Sequence, residues 1–165
     1  AKEAYKKAFA ISKELEIKSA LSLSDKFCVE KWRDEFRSLT ENTDIIFGNE
    51  EEIMTLYDTN ILSNAISAAS NKLNLCIITR GEKGSIIISS DGVEEIPSFP
   101  CENVIDTTGA GDLFAAGFLY GLSINSRLYE CAKLGSFCAS NVINLFGPRP
   151  KKNLLQLVKN EGLLV

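Results

Sequence analysis

The chain has 165 residues, 45% of them hydrophobic, enough for one globular domain with a proper core. Its 18 basic and 22 acidic residues give a net charge of −4, which argues against a nucleic-acid surface, because phosphate-backbone binding needs clustered Lys and Arg. Histidine is absent, which removes the usual general base and every imidazole-dependent triad, so proton transfer falls to a carboxylate.

Ala4, Ala8, Ile11 and Leu15 recur at helical spacing directly after a first residue that is not methionine. The pattern predicts a helix over 1–16 and a chain that starts inside an element. Alternation over 18–23 predicts a short strand, and Ser24 or Asp25 can cap a helix over 26–40 with an apolar stripe of Phe27, Trp32, Phe36 and Leu39. A second strand over 44–47 is expected to stop at Gly48, followed by helices over 50–57 and 61–72 and a third strand over 75–79. Short apolar strands between helices indicate a buried, parallel arrangement. Asp91-Gly92 is a strong hairpin turn between strands over 86–88 and 93–96, placed at the sheet edge. From Ala110 the pattern is helical, with Leu113, Phe114, Gly117, Phe118 and Gly121 on one face; further helices are expected over 126–145 and 151–160. The alternation predicts an α/β fold with a layered, mostly parallel sheet flanked by helices on both faces.

Five cysteines without a Cys-x-x-Cys pair predict reduced, mostly buried thiols. Cys131 and Cys138 share a helix face but lack a second pair or a histidine for zinc. No run approaches the roughly 18 apolar residues of a membrane helix, and no leader is legible, so a cytoplasmic protein with no membrane partner is expected.

The run Asp106-Thr107-Thr108-Gly109-Ala110-Gly111-Asp112 leads straight into the apolar-faced helix. Small residues there let a phosphate approach first-turn amides, whose donors are unpaired and whose dipole favours negative charge. Asp112 has two readings. In one it complements the helix dipole, with Thr107 or Thr108 as an ordinary N-cap. In the other it accepts the proton of an attacking hydroxyl while the adjacent amides hold a transferring phosphoryl group, chemistry governed by positioning and charge stabilisation. Two competing glycine motifs are excluded: Gly109 and Gly111 are followed by Phe114 instead of a third glycine, and no Gly-Lys-Ser/Thr occurs.

Continued by Leu113-Phe114-Ala115-Ala116-Gly117, this run resembles the C-terminal signature of the PfkB or ribokinase family of carbohydrate kinases. The resemblance implies Asp112 as catalytic base, Gly109, Ala110 and Gly111 as anion hole, and Asp106 and Thr108 beside an activating monovalent cation. Asn49 and Glu52 match the family's Asn-x-x-Glu, which orders magnesium and its water, although acidic residues after a turn also make a normal helix start. Thr79-Arg80-Gly81-Glu82-Lys83-Gly84 resembles the Thr-x-Gly-x-x-Gly loop beside the nucleotide, which implicates Thr79, Gly81 and Gly84 in binding; glycine permits the sharp turn either way. Phe146-Gly147-Pro148-Arg149-Pro150 is similar to the segment closing the nucleotide and cation site, and so implicates Gly147. Leu23-Ser24-Asp25, Phe27-Cys28-Val29 and Arg33-Asp34-Glu35-Phe36 resemble bacterial adenosine-kinase-like members.

The resemblance therefore implies a ribokinase-like fold in which residues 1–165 form the C-terminal nucleotide-binding and catalytic part, the N-terminal half and lid being absent. It implies an ATP-dependent phosphotransferase acting on a hydroxymethyl group of a nucleoside or sugar, with ATP and Mg2+ as cofactors and dependence on a monovalent ion such as K+ left open. Adenosine is the preferred acceptor; another sugar kinase of ribokinase or fructokinase type, or a non-catalytic nucleotide-binding fragment, are the alternatives. The fragment alone is expected to be inactive, and a homodimer of the full-length protein is left open.

Overall fold

The computed structural model describes residues 2–163, so the reading placed on Ala1 lies outside them. The elements run α1 (Lys2–Glu14), β1 (Ala20–Ser22), α2 (Lys26–Lys31), α3 (Arg33–Thr40), β2 (Ile45–Asn49), α4 (Glu50–Leu56), α5 (Leu62–Ser70) and β3 (Leu75–Thr79). A 3-10 turn (Gly81–Lys83), β4 (Ser85–Ser89), β5 (Gly92–Ile96), α6 (Ala110–Ser123), α7 (Leu128–Ile143) and α8 (Leu154–Asn160) follow. The strands form one five-stranded sheet in the order β1-β2-β3-β4-β5. β1, β2 and β3 are parallel, with Ile45 opposite both Ala20 and Leu75. The β3–β4 and β4–β5 connections are far shorter than the dozen or so residues of a parallel crossover, so β4 and β5 pair antiparallel. The sheet is the mixed, mostly parallel one expected from the sequence.

Two compact units are formed, residues up to 80 together with 86–94, and residues 81–85 together with those from 95 on. In the first, alternate strand residues Leu21, Ile46, Cys76, Ile78, Ile86 and Ile88 pack with Val29 of α2, Ile53 and Leu56 of α4, and Ala65 and Ala69 of α5. The intervening residues Ile45, Phe47, Ile77 and Ile87 are buried as well, which is why these strands read as unbroken apolar runs. Each fully buried aliphatic side chain contributes about 1.5–3 kcal/mol of transfer free energy.

In the second unit α6 and α7 meet backbone to backbone. A Cβ on Gly117 would lie 2.7 Å from the Leu134 carbonyl oxygen, and one on Gly135 2.7 Å from that of Phe114. Phe99 packs edge-on to Phe137 at 5.0 Å beside Val158 of α8. Cys76, Cys131 and Cys138 are buried, which pushes their thiols up to about 12, about 11 and about 11, so they pack as small apolar groups and stay protonated at neutral pH. Cys28 is exposed.

The structure departs from the sequence reading in three places. The helix expected over 26–40 is two helices, interrupted at Trp32, whose φ of −127° and ψ of 37° are not helical. The interruption changes the phase of the apolar stripe: Val29, Phe36 and Leu39 face the core, while Phe27 and Trp32 lie exposed with the Lys31 ammonium over both rings. Gly48 does not stop β2, which continues to Asn49. Space is tight there: a Cβ would lie 2.9 Å from Leu23 Cδ1 and 3.3 Å from Ile53 Cγ1, side-chain atoms that would have to shift to admit it. The N-cap of α6 is Gly109 and not Thr107 or Thr108. Asp25 is the N-cap of α2, its side chain accepting from the Cys28 amide at 3.1 Å.

Candidate active site

Parallel strands deliver Asn49 and Thr79 to the same end of the sheet, where the two residues are register partners. The C-terminal ends of such strands are where open α/β sheets bind ligands. Asn49 caps α4 in a reciprocal capping box: its Oδ1 accepts from the Glu52 amide at 2.9 Å, and Glu52 Oε2 accepts from the Asn49 amide at 3.0 Å. Asn49 Nδ2 adds a 2.9 Å bond to Glu52 Oε1. The Glu52 carboxyl is only 6% exposed, and desolvation raises its pKa, opposed by the bond from Asn49 and reinforced by Asp25 and Glu51. Thr79 Oγ1 donates to the Gly48 carbonyl at 3.4 Å.

Sequence reasoning missed one neighbour of this group. Arg80 Nε donates to Glu50 Oε1 at 2.8 Å, an ion pair with 16% and 29% exposed side chains. Each partner directly follows one of the register-paired residues Thr79 and Asn49, and that pairing is visible only in the fold.

The second unit carries the glycine-rich helix start. Gly109 adopts the left-handed conformation at φ 81°, and a Cβ on it would lie 2.6 Å from Pro148 Cβ, so the loop needs glycine for both strain and space. The Ala110 amide turns back to the Thr107 carbonyl at 3.1 Å, whereas the Gly111 and Asp112 amides, in the first helical turn, have no intrahelical acceptor and no side-chain cap. A Cβ on Gly111 would meet nothing within 4 Å, and Asp112 is exposed. Two donors and one carboxylate thus flank open space at the positive end of a helix of 14 residues.

Asp106 pins this loop. Its Oδ1 accepts from the Thr108 amide and its Oδ2 from the Gly147 amide, both at 2.9 Å, while the Ile105 and Asp106 amides donate to the Ile143 carbonyl at 2.8 and 3.2 Å. Gly147, at φ 82°, has open space where a Cβ would stand. The bonds from Thr108 and then Gly147 lower the Asp106 pKa below its ordinary 3.8. A depressed carboxylate stabilises the fold above its unfolded pKa and loses that contribution as pH falls through the folded value. Asp106→Asn is therefore expected to lower the urea midpoint at pH 7, and the difference from wild type should shrink as the pH is taken below 3.8. A midpoint difference unchanged down to strong acid would remove the carboxylate from this role.

Gly81 and Gly84 differ in what their missing side chains leave. Gly84 donates to the Gly81 carbonyl at 3.0 Å, and a Cβ on Gly84 would fall 1.9 Å from the Ile96 carbonyl oxygen. Gly81, at φ 59°, faces open space. Position 84 needs glycine both for space and for its φ of 85°, while position 81 needs it for backbone conformation.

The sequence matches the model of the pfkB family carbohydrate kinases over residues 1–153. It is 35% identical over 120 residues to a cytidine kinase of Thermococcus kodakarensis, covering 71% of this chain and 43% of that protein. Among solved structures, a probable sugar kinase from Rhizobium etli superposes with a TM-score of 0.95 at 36% identity, covering 99% of this chain and 50% of that one. Adenosine kinase from Sinorhizobium meliloti superposes with a TM-score of 0.92 at 36% identity, covering 96% of this chain and 49% of that one. The chain spans about half the length of these relatives, or somewhat less. With the ribokinase-like sheet and the Asp106–Asp112 helix start in place, the chain belongs to the pfkB family of carbohydrate kinases.

Proposed function

We propose that the protein carrying this chain transfers the γ-phosphoryl group of ATP to a hydroxymethyl oxygen of a nucleoside or sugar, with adenosine as the preferred acceptor. The observation that supports this reading most is the start of α6, where the Gly111 and Asp112 amides have no intrahelical acceptor, Asp112 is exposed beside them, and a Cβ on Gly111 would meet nothing within 4 Å. In the proposed reaction Asp112 takes the proton of the acceptor hydroxyl. The freed oxygen pair bonds to the γ-phosphorus as its bond to the β–γ bridging oxygen breaks, and ADP leaves with that electron pair. The Gly109–Gly111 helix start donates hydrogen bonds to the oxygens of the transferring group, where negative charge is greatest. Thr79, Gly81, Gly84 and Gly147 are assigned to nucleotide binding, with Gly84 acting only through the shape of its turn.

Magnesium, when bound, neutralises phosphate charge. Asn49 and Glu52 would hold its water shell, and the donor set fits: both Glu52 oxygens keep a lone pair beyond the capping box, and a nearby dication favours the ionised carboxylate. A monovalent cation such as K+ is assigned to the loop pinned by Asp106 and Thr108. Both Asp106 oxygens already accept amides, so Asp106 fits as a shaper of that loop more than as an open ligand.

Full-length protein assayed for ADP release with adenosine, cytidine, ribose and fructose should show its highest kcat/KM with adenosine. A sugar that surpasses adenosine would move the acceptor assignment, and no ADP with any acceptor would favour a nucleotide-binding module. Glu52→Gln separates stability from function at the magnesium position. Burial raises the Glu52 pKa, so its charge opposes folding at neutral pH; Gln can still accept from the Asn49 amide, but it loses the bond from Asn49 Nδ2, because an amide nitrogen cannot accept. With one bond lost and one buried charge removed, the variant is expected to melt close to wild type yet to need roughly tenfold more Mg2+ for half-maximal rate. An unchanged Mg2+ requirement would return Glu52 to a purely capping role.

A further inference from the structure

The start of α6 offers a phosphate two amides without an intrahelical acceptor, yet the chain around it is acidic. Asp106 and Asp112 flank the glycines, and no lysine or arginine lies between Lys83 and Arg127. Two full negative charges outweigh the roughly half positive charge of a helix N-terminus, so a polyphosphate is repelled there unless another segment brings a cation. The segment after α7 does so. Its Ile143 carbonyl accepts from the Ile105 and Asp106 amides, and its Gly147 amide donates to Asp106 Oδ2 at 2.9 Å. Pro148 then lies against Gly109, where a Cβ would stand 2.6 Å from Pro148 Cβ. The next residue is Arg149, which is exposed and whose side chain makes no hydrogen bond or ion pair among the described residues. Pro148 and Pro150 on either side narrow the backbone freedom of this segment, so a cation mounted there loses little chain entropy when it takes an anion.

We infer that Arg149 is a nucleotide-binding residue: carried by the segment tethered to Asp106 and Gly109, its guanidinium pairs with oxygens of the phosphate that the Gly111 and Asp112 amides hold. The inference rests on the phosphotransferase reading and adds to it a side-chain cation at the helix start. A guanidinium suits the role because its planar fork donates to two phosphate oxygens at once. Lys151 and Lys152 are also exposed and without a partner among the described residues, but they lie beyond the tethered stretch. They contribute only a diffuse field, which salt screens.

The test is calorimetric titration of the full-length protein with a magnesium-bound, non-hydrolysable ATP analogue, beside an assay of ADP release. Arg149→Gln is expected to raise the dissociation constant of the analogue roughly tenfold, through loss of charge-assisted bonds, while the acceptor KM stays within about twofold. Arg149→Lys keeps the charge without the fork and is expected to bind about threefold more weakly than wild type. Lys152→Gln is expected to remain within about twofold of wild type at physiological salt. The melting temperature of the unliganded Arg149→Gln protein should not change, because no protein contact is removed. Arg149→Gln that binds the analogue as wild type does, or Lys152→Gln that weakens binding equally, overturns the inference alone, provided that wild type releases ADP. Arg149→Gln that melts lower or fails to fold assigns the arginine to the scaffold and overturns it as well. Wild-type protein that neither binds the analogue nor releases ADP with any acceptor overturns the phosphotransferase reading, and the inference with it.

Discussion

Replacing Asp112 by asparagine in the full-length protein is expected to lower kcat by about 10²–10⁴-fold while the dissociation constant for the nucleotide stays within about threefold. Asparagine is nearly isosteric and keeps the first turn of α6, but its amide cannot accept the hydroxyl proton. The amides of Gly111 and Asp112 belong to the backbone and survive the substitution, so phosphate binding should persist. Loss of one negative charge beside the phosphates can even tighten nucleotide binding slightly. The alternative, in which Asp112 only complements the helix dipole, predicts a change of about 0.3–1 kcal/mol in stability and no selective loss of turnover. Kinetics and nucleotide titration on one variant therefore separate the two readings that the sequence leaves open.

Gly84→Ala carries the largest expected cost to folding. The new Cβ would sit 1.9 Å from the Ile96 carbonyl oxygen and 2.7 Å from the Pro97 carbonyl carbon and Ser98 amide nitrogen, all backbone atoms that cannot rotate away. The residue would also be held at φ 85°. Left-handed strain of about 1–3 kcal/mol and overpacking of similar size give a loss of about 4 kcal/mol, a large share of the 5–15 kcal/mol of a typical domain. Gly81→Ala, three residues earlier at φ 59° with open space around it, should cost only about 1–2 kcal/mol. Urea unfolding of the two variants measures the contrast directly. Equal midpoints would mean that the turn at Gly84 relaxes at little cost.

The parts of the molecule legible in the sequence are those governed by neighbours along the chain. The apolar run Leu75–Thr79, the Asp91-Gly92 turn between β4 and β5 and the small-residue entry into α6 all depend on local periodicity or turn chemistry, and each stands where it was expected. What escaped depends on contacts between distant segments. The break at Trp32 coincides with a salt bridge from the next residue, Arg33, to Asp58 at 2.9 Å, a pairing no local stripe reveals. Gly48 looked like a strand terminator, yet it lies within β2 with the Leu23 and Ile53 side chains packed where a Cβ would stand. Thr107 and Thr108 have the composition of N-caps, but Pro148 and Asp106 shape the loop so that Gly109 takes that position. Asn49 and Glu52 were singled out through a motif, and their joint capping box has a structural purpose that composition alone would also satisfy.

The most direct measurement is a crystal structure of the full-length protein with magnesium and a non-hydrolysable ATP analogue. The terminal phosphate should lie with its oxygens about 3 Å from the Gly111 and Asp112 amides, and the Asp112 carboxylate should face the acceptor side of the phosphorus. A terminal phosphate bound elsewhere, with those two amides turned to protein or to bulk water, would contradict the proposed chemistry.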